Sequence, residues 1–357
     1  MSVQISYKKQ FLFGILLCLI IISSVEIFLR VYDYSYPACS FYDSDVFGEF
    51  SNDLKRDVCH ANSKLIWNNS PLRLEPLQDL KTTNVNSEGF RGPELRDDSK
   101  IRIFLIGGST MFGVGSSSDD KTIPGFLGEY ISKEFLDVEI INAGIPGADS
   151  FTETELIKNK LLDYNPKILI IYDGWNDLQK DFEESDDVEE DITTQLIRAI
   201  NRGEYQTPKI LIQHYFNWKH DTVEVVFDSN YINEKSIAWK NNWKNTCENL
   251  NGKGIETVLI LQPILGSGSK VLSYEEQEYY SHYDSKTMNE YYEIYAEQLD
   301  ELKNSCTKVY DYRDTYDEFT ETLFFDAGHT GDLGNNIVAK RIFSDVLPII
   351  YEHSKDD

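Results

Sequence analysis

IFLIGGSTMFG, residues 103–113, is an apolar run that stops at two glycines and a serine. A run this short and this apolar fits a strand buried on both faces, and the glycines mark the turn where it ends. Two kinds of site share that appearance: a serine presented on a strand-to-helix turn, and a glycine cradle for phosphate. The cradle fails on spacing. A P-loop needs a lysine directly after its second glycine, and Gly113 is followed by Val114. The dinucleotide fingerprint G-x-G-x-x-G fails as well, because its second glycine falls on Ser109 when counted from Gly107 and on Thr110 when counted from Gly108. Ser109 on a tight turn, with its own backbone N–H free to donate, is the reading that remains.

From residue 100 onward the chain repeats this motif of short β-rich runs between helical stretches: IRIFLIG, VEIINAG, KILIIYDG, ETVLILQP and KVYDYRD. Near-continuous apolar strands separated by helices predict a parallel sheet covered on both faces. One helix is expected from about Asp149 to Leu162, capped by Asp149 or Ser150. A second, from about Asn233 to Leu250, places Trp239, Trp243, Cys247 and Leu250 on one face, as core rather than as a ligand platform.

In open α/β sheets ligands gather beyond the carboxyl ends of the strands, so the residues just after each strand matter most. Ser109 follows the first, NAGIPGADS with Gly147 the second, and GWND with Asn176 the third. DAGH, with Asp326 and His329, follows the fifth strand and precedes the last helix. A serine hydroxyl is a weak nucleophile until an oriented base takes its proton. Asp326 and His329 suit the roles of orienter and base, since a spacing of three residues puts both side chains on one side of a turn. The N–H groups of Ser109 and Gly147 and the amide of Asn176 would then meet the developing oxyanion. Taken singly, each residue has a plainer use: Ser109 and Asn176 could cap helices, Gly147 could serve a turn, and His329 could be a satisfied structural histidine. Their joint placement at one rim is what points to a site. Asp173, Asp177 and Asp332 read as supporting or solvated residues; with His329 they make a poor metal site, because no further nitrogen or sulfur ligand stands at a suitable spacing.

These blocks resemble, in order, those of the SGNH hydrolases, also called GDSL esterases: Ser109 in IGGSTMFG, Gly147 in NAGIPGADS, Asn176 in GWND, and Asp326 with His329 in DAGH. NSEGFRGPE before the first strand and LILQP at the fourth are similar to the membrane-anchored branch of that family. The resemblance covers roughly residues 84 to 345. It implies a flavodoxin-like three-layer α/β/α sandwich with a central parallel sheet of about five strands, serine-nucleophile chemistry on ester or acyl bonds, and no cofactor. One departure stands out: the family's G-D-S-L is here Gly107, Gly108, Ser109, Thr110, which leaves the local turn geometry to be settled.

Composition sets the surroundings. The 357 residues carry a formal net charge of −26, which argues against nucleic acid as a partner because phosphate-backbone binding needs clustered Lys and Arg. Lys8 and Lys9 precede FLFGILLCLIIISSVEIFLR, a run close to the roughly 20 residues that cross a bilayer as a helix. SSVEIF makes a poor small-x-small cleavage site, so an uncleaved anchor over residues 11–30 is expected rather than a signal peptide. Lysines before the helix place residues 1–10 in the cytoplasm and the rest outside. Cys39, Cys59, Cys247 and Cys306 could form two bridges in an oxidising compartment, or stay as buried thiols.

The resulting organisation is a cytoplasmic N-terminus (1–10), a transmembrane anchor (11–30), an irregular extension packed on the main domain (31–95), and a catalytic domain (96–353). About eighty residues separate GWND from ETVLILQP, so an insertion or lid is expected at about 180–232. Within it DFEESDDVEED lacks the glycine and spacing of a calcium loop and reads as a solvated acidic surface. Trp175 and the aromatics of SYEEQEYYSHYD could stack on a sugar or acyl group at the site mouth, but the tyrosines read rather as part of an amphipathic lid. The function expected is a membrane-tethered serine esterase acting on short acyl esters, O-acetyl groups first, of a surface polysaccharide or lipid. An O-acyltransferase on a cell-surface glycan uses the same residues with a glycan hydroxyl in place of water. An inactive surface-binding module of the same fold is the alternative of a different class.

Overall fold

The structure, a computed structural model, describes residues 6–35, 39, 42–69, 72–179, 207, 208, 211, 229–282 and 285–355. The chain divides into two compact units, one of Met1–Cys39 with Val188–Val226, the other of Ser40–Asp187 with Phe227–Asp357.

In the first unit, helix α1 (Tyr7–Ser35) carries the apolar run and is long and apolar enough to cross a bilayer. Its one interior acid, Glu26, is paired with Arg30 at 2.9 Å and accepts hydrogen bonds from the N–H and hydroxyl of Thr207 at 3.0 Å each. A carboxylate in an apolar helix is tolerated when its lone pairs are used in this way. Apart from Thr207, Pro208, Leu211 and the residues from 229 on, the expected insertion lies outside the described residues, as does DFEESDDVEED.

The second unit is built on five parallel strands: β1 (Ile101–Gly107), β2 (Val138–Asn142), β3 (Ile168–Asp173), β4 (Glu256–Leu261) and β5 (Lys308–Asp311). They lie in the order β2-β1-β3-β4-β5, the flavodoxin-like arrangement. The chain steps from β1 to one side and then returns to the other, so the carboxyl ends of β1 and β3 flank the switch point where such sheets open a crevice.

Period-two alternation in the strands feeds two cores. Phe104, Ile106, Leu169, Ile171, Leu259 and Leu261 face one side. There they pack against helices α5 (Ser150–Asn159), α7 (Ser229–Asn251), α9 (Ser285–Glu297) and the short α10 (Leu299–Leu302). Ile103, Leu105, Ile168, Ile170, Val258 and Ile260 face the other. That core is closed by α4 (Ile123–Ser132) and α11 (Asp332–Lys355). This is the expected three-layer sandwich.

Asp149 caps α5 by accepting from the Thr152 N–H, and Trp239, Trp243, Cys247 and Leu250 are all buried on one face of α7, as their spacing predicts. Cys247 is bonded to Cys306, stapling α7 to the approach of β5 across 59 residues. Cys39 and Cys59 are both oxidised, and Cys18 is the free thiol among the described residues.

The stretch before β1 is more ordered than its sequence suggests. It holds helix α2 (Asn52–Lys64) and two short hairpins, Trp67–Asn69 with Leu72–Leu74 and Gln78–Asp79 with Asn84–Val85. Only Val58, Cys59 and Ala61 of α2 are buried, too few to give a readable apolar period.

Candidate active site

The Ser109 turn begins where β1 ends. Gly108 precedes the four-residue helix α3 (Ser109–Phe112), which places Ser109 at its first position above the sheet. The far end of α3 is clamped by a buried arginine from the NSEGFRGPE block. Arg91 donates to the carbonyls of Phe112 (3.1 Å), Gly113 (2.7 Å) and Thr82 (2.9 Å) and pairs with Asp119 at 2.8 Å. Asn142, the last residue of β2, adds a bond from its amide to Phe112 O at 3.1 Å. Donors fixed in a planar fork suit a guanidinium to this task better than an ammonium. Sequence reasoning singled out the block but gave Arg91 and Asp119 no role.

His329 comes from a turn closed by a bridge between Phe324 and Thr330, with Phe325 N donating to His329 O at 3.1 Å and the two rings of Phe325 and His329 stacked. Its Nε2 lies 2.6 Å from Ser109 Oγ. Its Nδ1 lies 2.8 and 3.0 Å from the two oxygens of Asp326. Burial raises the Asp326 carboxyl, but the His329 charge and hydrogen bond, with the backbone N–H groups of Gly328 and His329, outweigh it and hold the group below its usual value. An ionised Asp326 only accepts, so Nδ1 carries the hydrogen and Nε2 of a neutral ring is left to accept from the Ser109 hydroxyl. The pair is half-buried, with 20% of the His329 side chain and 34% of the Asp326 side chain exposed.

Helix α8 (Tyr274–His282) supports this turn from behind. Buried Glu276 accepts from the N–H groups of Leu323 (3.0 Å) and Phe324 (3.2 Å) and pairs with Lys270 at 2.6 Å. SYEEQEYYSHYD thus contributes a buried carboxylate strut; its Tyr283 and Asp284 lie outside the described residues.

On the other side of Ser109, Ile145 N donates to Gly107 O at 2.9 Å, tying the loop after β2 to the end of β1. Gly147 in that loop has φ +80, a region that favours glycine. Asn176, at the second position of the short helix α6 (Trp175–Gln179), donates its amide to Ala148 O at 2.5 Å. The departure at position 108 now has a physical meaning. A Cβ on Gly108 would come within 2.2 Å of Asn176 Nδ2, so the glycine is what lets the Asn176 amide lie against the Ser109 turn. Among the described residues, the backbone N–H groups of Ser109 and Gly147 donate to no protein acceptor. Ser109 thus has the His329–Asp326 pair against its hydroxyl, while the Asn176 amide lies against the glycine that precedes it.

The acidic residues set aside by the sequence are supports, Asp173 buried and Asp177 and Asp332 half-buried. Asp173 accepts from the indoles of Trp239 (2.9 Å) and Trp243 (2.8 Å). Burial pushes its carboxyl up to about 6, against the pull of Gly174 N–H and those indoles. Asp177 accepts from the N–H (2.8 Å) and hydroxyl (2.5 Å) of Ser150, and burial, then the charges of Asp173 and Asp149, push it well above its usual value. Asp332 accepts from the N–H and hydroxyl of Ser117 at 2.9 and 2.5 Å, and burial raises it too. No cluster able to hold a metal occurs among the described residues.

The family described as GDSL-like lipase/acylhydrolase matches residues 105–305, more than half of the chain. The match takes in Ser109, Gly147 and Asn176 and stops before Asp326 and His329. No curated protein matches. Similar solved structures include the acetyl xylan esterase AlAXEase, 16% identical over 69% of this chain and 100% of that one with a TM-score of 0.43. LAE5, an α/β hydrolase enzyme from the metagenome of Lake Arreo, Spain, is 11% identical over 69% and 94%, TM-score 0.41. Axe2, an acetylxylan esterase from Geobacillus stearothermophilus, is 12% identical over 71% and 96%, TM-score 0.40.

Proposed function

This chain belongs to the GDSL-like lipase/acylhydrolase family, and we propose that its serine ester hydrolase activity is carried by Ser109, His329 and Asp326 with an oxyanion hole of Ser109 N–H, Gly147 N–H and the Asn176 amide. The observation that supports this most directly is the 2.6 Å contact of Ser109 Oγ with His329 Nε2, while Asp326 occupies the other ring nitrogen.

In this mechanism Ser109 Oγ attacks the ester carbonyl carbon as its proton passes to His329 Nε2, and ionised Asp326 stabilises the imidazolium through Nδ1–H. The carbonyl oxygen becomes an oxyanion that receives the three donors, each worth on the order of 3 kcal/mol of barrier. Collapse breaks the C–O bond to the alcohol, which takes the proton from His329 and leaves acyl-Ser109. Water, deprotonated by the same ring, then releases the acid.

We assign the substrate to short acyl esters, O-acetyl groups first, on a large extracytoplasmic molecule. Support comes from the partial exposure of the pair at the sheet rim, which suits a pendant ester that reaches in from solvent. Helix α1 serves as the anchor, with Lys8 and Lys9 inside and the hydrolase outside. The Cys247–Cys306 bridge supports an oxidising compartment.

The test uses the full chain in detergent with p-nitrophenyl acetate and a fluorophosphonate probe. Wild type is expected to turn over and to be labelled at Ser109, and Ser109→Ala and His329→Ala to lose roughly a thousandfold or more in kcat. A well-folded wild type that takes no label, or a Ser109→Ala variant that still turns over, refutes the assignment.

A further inference from the structure

The turn that carries His329 is braced by residues far from it in sequence. Ser44 caps a single 3-10 turn, Asp45–Phe47, by accepting from the Val46 N–H at 3.2 Å. Phe47 is 2% exposed, and its ring centroid lies 5.2 Å from that of Phe325, which is stacked in turn on His329 at 5.7 Å. A Cβ on Gly331, just past the base, would stand 2.4 Å from Val46 Cγ1, so the two turns are in direct contact.

The same rings reach the other half of the pair. A Cβ on Gly115 would meet Phe325 Cε1 at 2.6 Å and Phe47 Cζ at 3.4 Å, so both rings lie against the chain that leaves α3. The N–H groups of Gly113 and Val114 donate to Ser109 O at 2.9 and 3.0 Å, which ties that stretch back to the serine. Helix α8 locks the arrangement with two adjacent carboxylates. Glu275 accepts from Asp45 N–H (2.7 Å) and the Tyr279 hydroxyl (2.9 Å), while Glu276 holds the N–H groups of Leu323 and Phe324. Rings packed at such separations fix one another's positions, and a close-packed interior has no slack to absorb the loss of one. Removing the Phe47 ring opens a void behind Phe325, and the imidazole stacked on Phe325 is then free to follow it.

We propose that Phe47 is a positioning residue for the base: its ring wedges between the Ser109 and His329 turns and, through Phe325, holds His329 Nε2 against Ser109 Oγ. The inference rests on the serine esterase reading and adds to it a task for the stretch before β1. A displacement of about 1 Å in a reacting pair costs on the order of 100-fold in rate, so a ring that never touches substrate can still set kcat. Sequence reasoning left Phe47 aside, because FYDSDVFGEF has no apolar period to mark it as core.

The test measures p-nitrophenyl acetate kinetics of the full chain in detergent, with urea melts and the rate of fluorophosphonate labelling for each variant. Phe47→Ala is expected to lower kcat about 10-fold to 100-fold with KM within about twofold of wild type, and to slow labelling by a similar factor. Phe47→Leu, which refills most of the void, recovers most of the rate. Ile350→Ala, fully buried in the second core near the end of α11, loses comparable stability yet keeps kcat within about twofold. In a His329→Ala background Phe47→Ala slows the residual turnover no further, because the group it positions is gone; a loss of folded enzyme alone would still multiply. Should Phe47→Ala fail to fold, Glu275→Ala decides, with an expected fall in kcat of several-fold from release of the Asp45 turn. A folded Phe47→Ala enzyme with kcat within about threefold of wild type, a loss confined to KM, or an equal loss in Ile350→Ala overturns the brace. Labelling separates these outcomes from failure of the underlying reading: a wild type labelled at Ser109 keeps the esterase whatever Phe47 does, and an unlabelled one removes the esterase and the brace with it.

Discussion

Replacing Gly108 with alanine is expected to disable the hydrolase while leaving it folded. The added Cβ would stand 2.2 Å from Asn176 Nδ2, where ordinary contact begins near 3.4 Å, so the amide has to retreat by about 1 Å. The backbone there is fixed by the start of α3, whereas the Asn176 amide can swing away at the cost of its bond to Ala148 O. Losing that bond costs about 1 kcal/mol of stability. Losing an aligned oxyanion donor costs about 100-fold to 1000-fold in kcat. The assay is p-nitrophenyl acetate turnover for Gly108→Ala, Asn176→Ala and the double variant, beside urea unfolding of each. If the glycine acts through Asn176, the double variant is no slower than Asn176→Ala alone, because the group being displaced is already gone. A Gly108→Ala enzyme within about threefold of wild type, or losses that multiply in the double variant, would refute the reasoning.

Further perturbations concern the buried charges and the bridge. Asp173 is held near 6 when folded against 3.8 for a free carboxyl, so the folded state binds its proton more tightly. The cost of ionising it is absent below about pH 4, grows between pH 4 and 6, and is complete above; the gap amounts to about 3 kcal/mol. Asp173→Asn keeps an acceptor for both indoles, and its stability relative to wild type should rise by up to about 3 kcal/mol between about pH 4 and 7.5 in urea melts; a difference independent of pH would contradict the assignment. Cys247→Ala with Cys306→Ala frees a 59-residue loop and should cost about 4 kcal/mol, read as a drop in Tm; an unchanged Tm contradicts it. Arg91→Leu leaves the Thr82 carbonyl without a donor and Asp119 without its cation, and is expected to destabilise by about 3–5 kcal/mol. Arg91→Lys should recover little of it in the same melt, since one ammonium lacks the fork that reaches them all.

The strands, their order of appearance and the polar blocks at their ends were legible because buried parallel strands are written as unbroken apolar runs, and a sheet places all its carboxyl ends on one rim. That geometry alone brings Ser109 and His329 within reach of each other across 220 residues of sequence. The α7 aromatics were legible for the same kind of reason, a helical period of apolar residues facing one layer. Helix α2 was not, because a mostly exposed helix leaves too few apolar positions to mark a period.

What only the tertiary structure decided is how the blocks are held. Arg91 and Glu276 are charged side chains that look solvated in sequence, and they are buried, with Asp119 and Lys270 half-buried as their partners, where distant backbone groups need donors and acceptors. Gly108 reads as a missing aspartate until Asn176 is seen against it. Local sequence sets strand and helix through periodicity; it carries no record of which far-off atoms will share a buried space, and this site is finished by such atoms.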